Sequence, residues 1–578
     1  MEIKKYKKVE ISEFFERNKH ILGFDNPSKA IMTCLKEFCD NSLDACEDEK
    51  ILPELEITII KKNNSIYRII FKDNGPGVTS AMIPKVFGKL LFGSKFHENK
   101  QKRGQQGLGA SAVVLYSQLT TGSPVVISNR VGNGIEERTV LGIDIKKNEP
   151  TIFSKKTRKS TENSGITIEV DLEATFFKLG PKAVSTYLTL INTINPSTRI
   201  ILIDPEEKKT IWERTTTTLG NAPQAYKYHC KDLDIGLLKR YILENQKETV
   251  GLGSILDRTF ESLTPSLISK ICRLSGNSQN IPCSLLTTYE FIQLKTIIDS
   301  LSIPEVSEEK FSICGQELEK HLSKIYKSKE VDFLEYHKSK IGHYNGGSFI
   351  VETVLCYGGT LAKDKKMEII RVGNKVPFLF QGGACALQKT IASFNWKSVG
   401  FSQNQNEVPV GPAICYIHLV STKIPFISES KEAVSEVPPI IEAINECLRE
   451  TSKSLIRHIE FQLLAKKREE KKEIVEKFFP LLVQKICKIL KKDVKEYPEV
   501  LNKINQGIII KKTNEKSFRI QNLYPVEKKL CIDYGGTVVD IKINGGSIIY
   551  FNPEESSSVL FKKLKVRNQS KTLKIFIE

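Results

Sequence analysis

Two hydrophobic rhythms alternate along the chain, and the changes between them mark its segments. LEITIIKK, SIYRIIFKD and GITIEVDL are short runs rich in β-branched residues, the signature of strands. Between them lie helical patterns such as NPSKAIMTCLKEFCDNSLDAC, where Asn26 can cap and Pro27 suits the first helical position. Strands mixed with helices through residues 1–220 predict a two-layer α/β unit.

From about Asp232 to Leu301 the rhythm is helical, as in LLKRYILENQ, SLISKICRL and SLLTTYEFIQLKTIIDSL, with glycines and prolines between short helices. This predicts a small helical module inserted between larger units. Residues 305–430 return to a mixed pattern, with strands at SFIVETVLCYGGT, KMEIIRVGNKVPFLF and PAICYIHLVSTK. The stretch VPPIIEAINECLRETSKSLIRHIEFQLLAKKREEKKEIVEKFF has no glycine or proline after Pro439 and predicts one long helix. Its KKREEKKE segment carries mixed charges of the kind that form a solvated face. Beyond about residue 505, GIIIKKT, KSFRIQNL and TLKIFIE predict a small all-β domain, a sandwich by its strand spacing.

The 578 residues leave room for three or four domains. With 86 Lys+Arg against 68 Asp+Glu the formal charge is +18, which favours polyanionic partners, nucleic acid above all. A generally lysine-rich composition gives the same total, so charge alone decides nothing. The 13 cysteines form no CxxC pair and no Cys/His cluster, which argues against a disulfide framework or a zinc site and for reduced thiols in an intracellular protein. The first residues, MEIKKYKKVEISEFFERN, lack the apolar core of a signal peptide, and no apolar run approaches the ~18 residues of a membrane span. The expected location is intracellular, in cytoplasm or nucleoid in a prokaryote and in the nucleus in a eukaryote, with no membrane association.

Three motifs carry candidate chemistry. In EFCDNSLDAC, Glu37 and Asn41 are one helical turn apart and share a face. An amide oxygen there can ligate Mg²⁺, and the carboxylate can take a proton from an attacking water. In DNGPGV, Asp73 ends a strand and can accept from a purine amino group, while Gly75 and Gly77 allow close backbone approach. In GQQGLGASA, the residues Gly104, Gln105, Gln106, Gly107, Leu108, Gly109, Ala110 and Ser111 open a helix whose N-terminal N–H groups suit phosphates. It is neither a dinucleotide fingerprint nor a P-loop. Singly, each motif is an ordinary turn or helix face.

In this order the three motifs resemble the ATPase superfamily of gyrase, certain chaperones, histidine kinases and mismatch-repair proteins, whose nucleotide domain is the Bergerat fold. Longer segments are more specific. SEFFERNKHILGFDNPSKA, FGKLLFGSKF, RGQQGLGASAVVLYSQLTTG, NKVPFLFQGGACALQKTI, FNWKSVGF, PVGPAICYIHLVSTKIPF and SESKEAVSEVPPI are similar to the B-subunit family of DNA topoisomerase VI, the type IIB enzymes, from about residue 8 to 465.

The resemblance implies a multidomain α/β chain. A Bergerat-type ATPase domain with an N-terminal dimerisation strap would take 1–225, a helix–two-turn–helix module 226–305, a transducer with a long exit helix 306–495, and an immunoglobulin-like β domain 500–578. It implies ATP and Mg²⁺ as cofactors, Glu37 as general base, Asn41 as magnesium ligand and Asp73 as adenine reader, with the loop from Gly104 to Ser111 over the phosphates. Ser94 and Lys95 would line the nucleotide, and Lys431 in SESKEAVSE would reach the γ-phosphate from the transducer, with Lys423 as its competitor.

Two departures stand out. A Gly-Thr pair usual in the superfamily is here Gly165-Ile166-Thr167, so that either Thr167 takes the role one position late or the contact is absent, and the residue before Asn41 is Asp40 where relatives often have Glu. The implied partners are double-stranded DNA, a second copy of this chain and a DNA-cleaving A-type chain, in a heterotetramer of two of each. The basic stretches FHENKQKR and KKREEKKE are candidate DNA contacts. A non-catalytic scaffold of a DNA-break complex and a free-standing ATPase clamp of the mismatch-repair kind are the alternatives.

Overall fold

The structure is a computed structural model. It describes residues 23–93, 99–104, 107–231, 233–244, 250–326, 331–428, 431–491, 493, 508–514, 517–522, 528–534, 537–544, 547–551 and 574–577. The chain divides into two compact units, Met1–Ser452 and Lys453–Glu578.

The first unit opens with helix α1, Pro27–Asp48. Pro27 occupies its first turn as expected, but Asn26 makes no side-chain cap; its side-chain oxygen accepts from the Ser28 hydroxyl instead. Eight strands follow: β1 (Glu54–Lys61), β2 (Ile66–Asp73), β3 (Val125–Arg130), β4 (Ile135–Asp144), β5 (Glu149–Lys159), β6 (Gly165–Glu173), β7 (Arg199–Ile203) and β8 (Lys209–Trp212). They form one sheet in the order β5-β4-β3-β6-β2-β1-β7-β8, antiparallel except where β1 lies parallel to β7. Burial alternates residue by residue along β2, so one face of the sheet meets the core. Helix α1 covers that face with α3 (Gly109–Thr121) and α4 (Val184–Ile194), while the short α2 (Ile83–Gly88) packs beside β5. Leu35 and Phe38 of α1, Val113 of α3, Leu188 of α4, and Ile57 and Phe71 of the sheet share a single core.

The next segment is wholly helical: α5 (Ile235–Glu244), α6 (Leu252–Thr259), α7 (Pro265–Leu274) and α8 (Thr288–Ser300). Their apolar stripes close on a separate core that includes Leu238, Ile255, Ile271, Phe291 and Leu294. Thr287 and Glu290 form a capping box that fixes the start of α8.

After α9 (Gly315–Ile325) comes a second mixed sheet of β9 (Phe333–Lys338), β10 (Gly342–Tyr344), β11 (Gly347–Tyr357), β12 (Glu368–Gly373), β13 (Val376–Pro377) and β14 (Ala413–Ser421), with α10 (Ala386–Ser393) inserted before β14. Strands β11 and β14 are almost wholly buried and pair over nine positions, from Phe349 with Ser421 to Tyr357 with Ala413. Residues 374–375 turn β12 into β13 with φ of 47° at Asn374 and 64° at Lys375, the left-handed pair that a two-residue hairpin turn requires.

Helix α11 runs from Pro438 to Ile489, ten residues past the expected end at Phe479 and through Pro480. Proline removes one intrahelical bond, but the LLVQKICKI that follows contains no glycine or second proline to stop the helix. In the second unit the strands β15 (Ile508–Asn514), β16 (Ser517–Asn522), β17 (Lys528–Tyr534), β18 (Thr537–Ile543), β19 (Ile548–Phe551) and β20 (Lys574–Ile577) form two three-stranded antiparallel sheets, β15-β16-β19 and β18-β17-β20.

Candidate nucleotide site

One face of α1 opposes the end of β2 across a hollow of about 350 Å³, the size of a single organic ligand. Glu37 and Asn41 line it from the helix, Asp73, Gly75 and Gly77 from the strand end, and Gly104, Gly107, Leu108, Gly109 and Ala110 from the loop that opens α3. Lys431, from the segment before α11, reaches the same hollow. Phe38, Val78, Phe87, Phe92, Ile166 and Ile168 give it an apolar wall that suits a flat ring.

Asp73 is locked in place. Its Oδ1 accepts from the backbone N–H of Gly75 and of Ile166, each at 3.0 Å, and its Oδ2 accepts from the Ser42 hydroxyl at 2.5 Å. Gly77 has a left-handed φ of +77°, and a Cβ there would lie 2.4 Å from the Arg130 carbonyl oxygen. Gly109 is under a different constraint: a Cβ on it would come within 1.8 Å of Glu37 Oε2, so the start of α3 lies directly against the carboxylate. Among the described residues neither the Glu37 nor the Asn41 side chain has a hydrogen-bond partner.

Lys431 is 5% exposed. Its φ of +53° is a left-handed conformation that a lysine adopts only under the constraint of its surroundings. Its Nζ donates to the Arg103 carbonyl at 3.4 Å, while its own carbonyl accepts from Lys36 Nζ at 3.5 Å. Beside it, Asp40 is completely buried and both its carboxylate oxygens lack a partner. Burial pushes the Asp40 carboxyl up to about 7; Lys431 opposes that shift and Glu37 adds to it.

Comparison with known proteins decides the family. Residues 26–173 match the histidine kinase-, DNA gyrase B- and HSP90-like ATPase family, and residues 307–473 match the transducer of the topoisomerase VI B subunit. The B subunit of type 2 DNA topoisomerase 6 from Methanosarcina barkeri is 35% identical over 512 residues, 88% of this chain and 81% of its own length. The Archaeoglobus fulgidus protein of that name is 36% identical over 86% of this chain and 82% of its own, and the Saccharolobus islandicus one 30% identical over 92% and 99%. The chain belongs to the family of type 2 DNA topoisomerase 6 B subunits.

Some expected site residues fall elsewhere. Thr167 does not line the hollow: side chains alternate along β6, so Ile166 and Ile168 face inward and the Thr167 hydroxyl meets Arg130 at 3.3 Å on the other face. Ser111 is buried and donates to the Leu108 carbonyl at 3.0 Å, bracing the first turn of α3 rather than facing the hollow. Ser94, Lys95, Gln105 and Gln106 lie outside the described residues. Lys423 is exposed and does not line the hollow, whereas Lys431 does.

Of the run FHENKQKR, residues 96–98 lie outside the described residues, while Lys100 pairs with Asp48 at 2.5 Å and Arg103 is buried among carboxylates. Nothing in the sequence singles out Ser42, although it is the neighbour of Asn41 and its hydroxyl turns toward Asp73. The twelve cysteines whose side chains are described are free thiols, and no helix among the described residues is long and apolar enough to cross a membrane.

Proposed function

We propose that the hollow binds and hydrolyses ATP, and that this chain is the ATP-driven subunit of a type IIB DNA topoisomerase. The observation that carries the reading is the convergence of Glu37, Asn41, Asp73, the glycine-rich loop and Lys431 on one cavity. In this reading Asp73, held rigid by Ser42 and two backbone N–H groups, accepts from the purine amino group, and the apolar wall receives the ring. The first N–H groups of α3 meet the phosphates, where the helix N-terminus favours negative charge. Glu37 takes the proton of the attacking water. Lys431 compensates the charge that develops on the terminal phosphate.

The donor set fits Mg²⁺: Asn41 offers a free amide oxygen beside the carboxylate of Glu37, and hard oxygen donors are what this ion takes. When bound, the ion would screen the phosphate charges. The absence of a Cβ at Gly109 lets the start of α3 lie against the Glu37 carboxylate.

The proposed division of the chain is an ATPase domain over 1–225 with an N-terminal strap, a helix–two-turn–helix module over 226–305, a transducer over 306–495 and a β-rich domain over 500–578. ATP binding draws two such chains together through their ATPase domains around a DNA duplex, and the transducer signals to a DNA-cleaving A-type partner. The names of the relatives and the transducer match support this assignment.

The test is ATP hydrolysis and supercoil relaxation with and without the A-type partner, comparing wild type with Glu37→Ala. The variant is expected to bind nucleotide yet turn over at least ~100-fold more slowly, as loss of a general base requires. Undiminished turnover removes Glu37 from the chemistry. A wild-type chain without ATP turnover at all would favour the non-catalytic scaffold.

A further inference from the structure

The last two turns of α1 carry a second cluster of charges, and here every carboxylate is paired. Arg103, one residue before Gly104, sends its guanidinium into this cluster. It donates to Asp44 Oδ1 at 3.1 Å, Glu47 Oε2 at 2.6 Å and Asn195 Oδ1 at 2.9 Å. The N–H groups of Arg103 and Gly104 also donate to Asp44, at 3.2 and 3.3 Å. The root of the glycine-rich loop is therefore fastened to α1 by side chain and backbone together.

The other half of the Glu47 carboxylate belongs to the region matched as transducer. Lys375 Nζ donates to Glu47 Oε1 at 3.2 Å and to the Ser312 hydroxyl at 2.5 Å. The Lys375 carbonyl accepts from Asn195 at 3.2 Å, and its N–H donates to His418 Nε2 at 2.9 Å. His418 is bonded in turn to Glu352, which also accepts from the first N–H groups of α9. Next to Lys375 in the same hairpin turn, Asn374 donates to the Lys102 carbonyl at 3.0 Å. Burial works against the charge on Glu47, but Arg103 and Lys375 outweigh it and hold the carboxyl well below the usual carboxylate range.

We propose that Lys375 is a positioning residue for the ATP-driven reaction: through the carboxylate it shares with Arg103, it ties the β12–β13 turn of the transducer to the root of the glycine-rich loop. A shift of that loop is then felt in the transducer at Lys375 as well as at Lys431, which reaches the hollow itself and whose Nζ donates to the Arg103 carbonyl. The route through Lys375 has the physical form coupling needs, a continuous chain of buried hydrogen-bonded charges between two rigid elements. Both lysines meet the root of the loop, Lys431 at the Arg103 carbonyl and Lys375 through the Glu47 carboxylate. This inference rests on the ATPase reading above.

The experiment uses the full chain assembled with the DNA-cleaving partner, at saturating ATP, and reads ATP turnover and supercoil relaxation side by side. In Lys375→Met, turnover is expected to stay within about threefold of wild type while relaxation falls about tenfold, so more ATP is hydrolysed per strand passage. Lys375→Arg, which keeps the cation, should restore most of the coupling. Glu47→Gln, nearly isosteric, should uncouple in the same way and carries the test if Lys375→Met does not fold. Combining the two substitutions should add little to either alone, because both break one link. Equal loss of turnover and relaxation, or wild-type coupling in both single variants, overturns the proposal. Absence of ATP turnover in the wild-type chain would instead overturn the ATPase reading.

Discussion

Helix α1 carries two acidic stretches that meet different fates. In the stretch beside the hollow, the Glu37 and Asn41 side chains have no partner among the described residues, and Asp40 is buried with both oxygens orphaned. Two turns further on, Asp44 and Glu47 are fully engaged by Arg103, Lys375 and Ser312. An unpaired buried carboxylate costs several kcal/mol as a charge, and Asp40 answers with a carboxyl pushed up to about 7. The paired stretch can hold elements together without any ligand. In the reading proposed above, the contrast separates a place where chemistry is done from a place where position is transmitted, on one helix and with the same residue types.

The largest break in this contrast should come from Arg103→Ala. Removing the cation leaves Asp44 to backbone donors and Glu47 to Lys375 and Ser312, and a loss of about 3 kcal/mol in urea unfolding is expected. Glu37→Ala should behave oppositely, leaving the unfolding midpoint unchanged or raised while costing the ~100-fold in turnover stated above, which is about 2.7 kcal/mol of barrier. If the two variants instead lost stability equally, the distinction between the stretches would collapse.

A smaller and sharper effect is expected at Gly109. The added methyl of Gly109→Ala would stand 1.8 Å from Glu37 Oε2, so the carboxylate must swing aside. Turnover is expected to fall about tenfold, since displacing a reacting group by an ångström is costly. Unchanged turnover would show that Glu37 has room to work from another position.

The mildest test is the pH dependence of the paired stretch. The folded-state pKa of Glu47 is depressed, so its stabilisation is fully present above the unfolded value of 4.5 and is lost as pH falls through the lower folded value. The stability gap between wild type and Glu47→Gln should therefore be flat from about pH 8 to about pH 5 and narrow below that. A gap that widened in acid would mean that Glu47 is not held as a charged group.

Much of the first unit could be read from the chain. LEITIIKK, SIYRIIFKD and GITIEVDL became β1, β2 and β6, because strand rhythm and β-branched content are properties of a few neighbouring residues. The same locality explains the failures. Thr167 is one residue from the hollow in sequence and on the wrong side of β6 in space, since parity depends on register with β2 and β3. Ser42 gives no signal of its own because its partner Asp73 lies 31 residues away.

By itself the sequence determined the elements, the glycine-rich loop opening a helix, and the placing of Glu37 with Asn41 on one helical face. All of these rest on contacts within a turn or two of the chain. The tertiary structure alone decided that Lys431 would lie against Arg103 across 328 residues, and that Lys375 and Arg103 would share one carboxylate of α1. Such meetings depend on how two sheets and a helix pack, and no local periodicity encodes that packing.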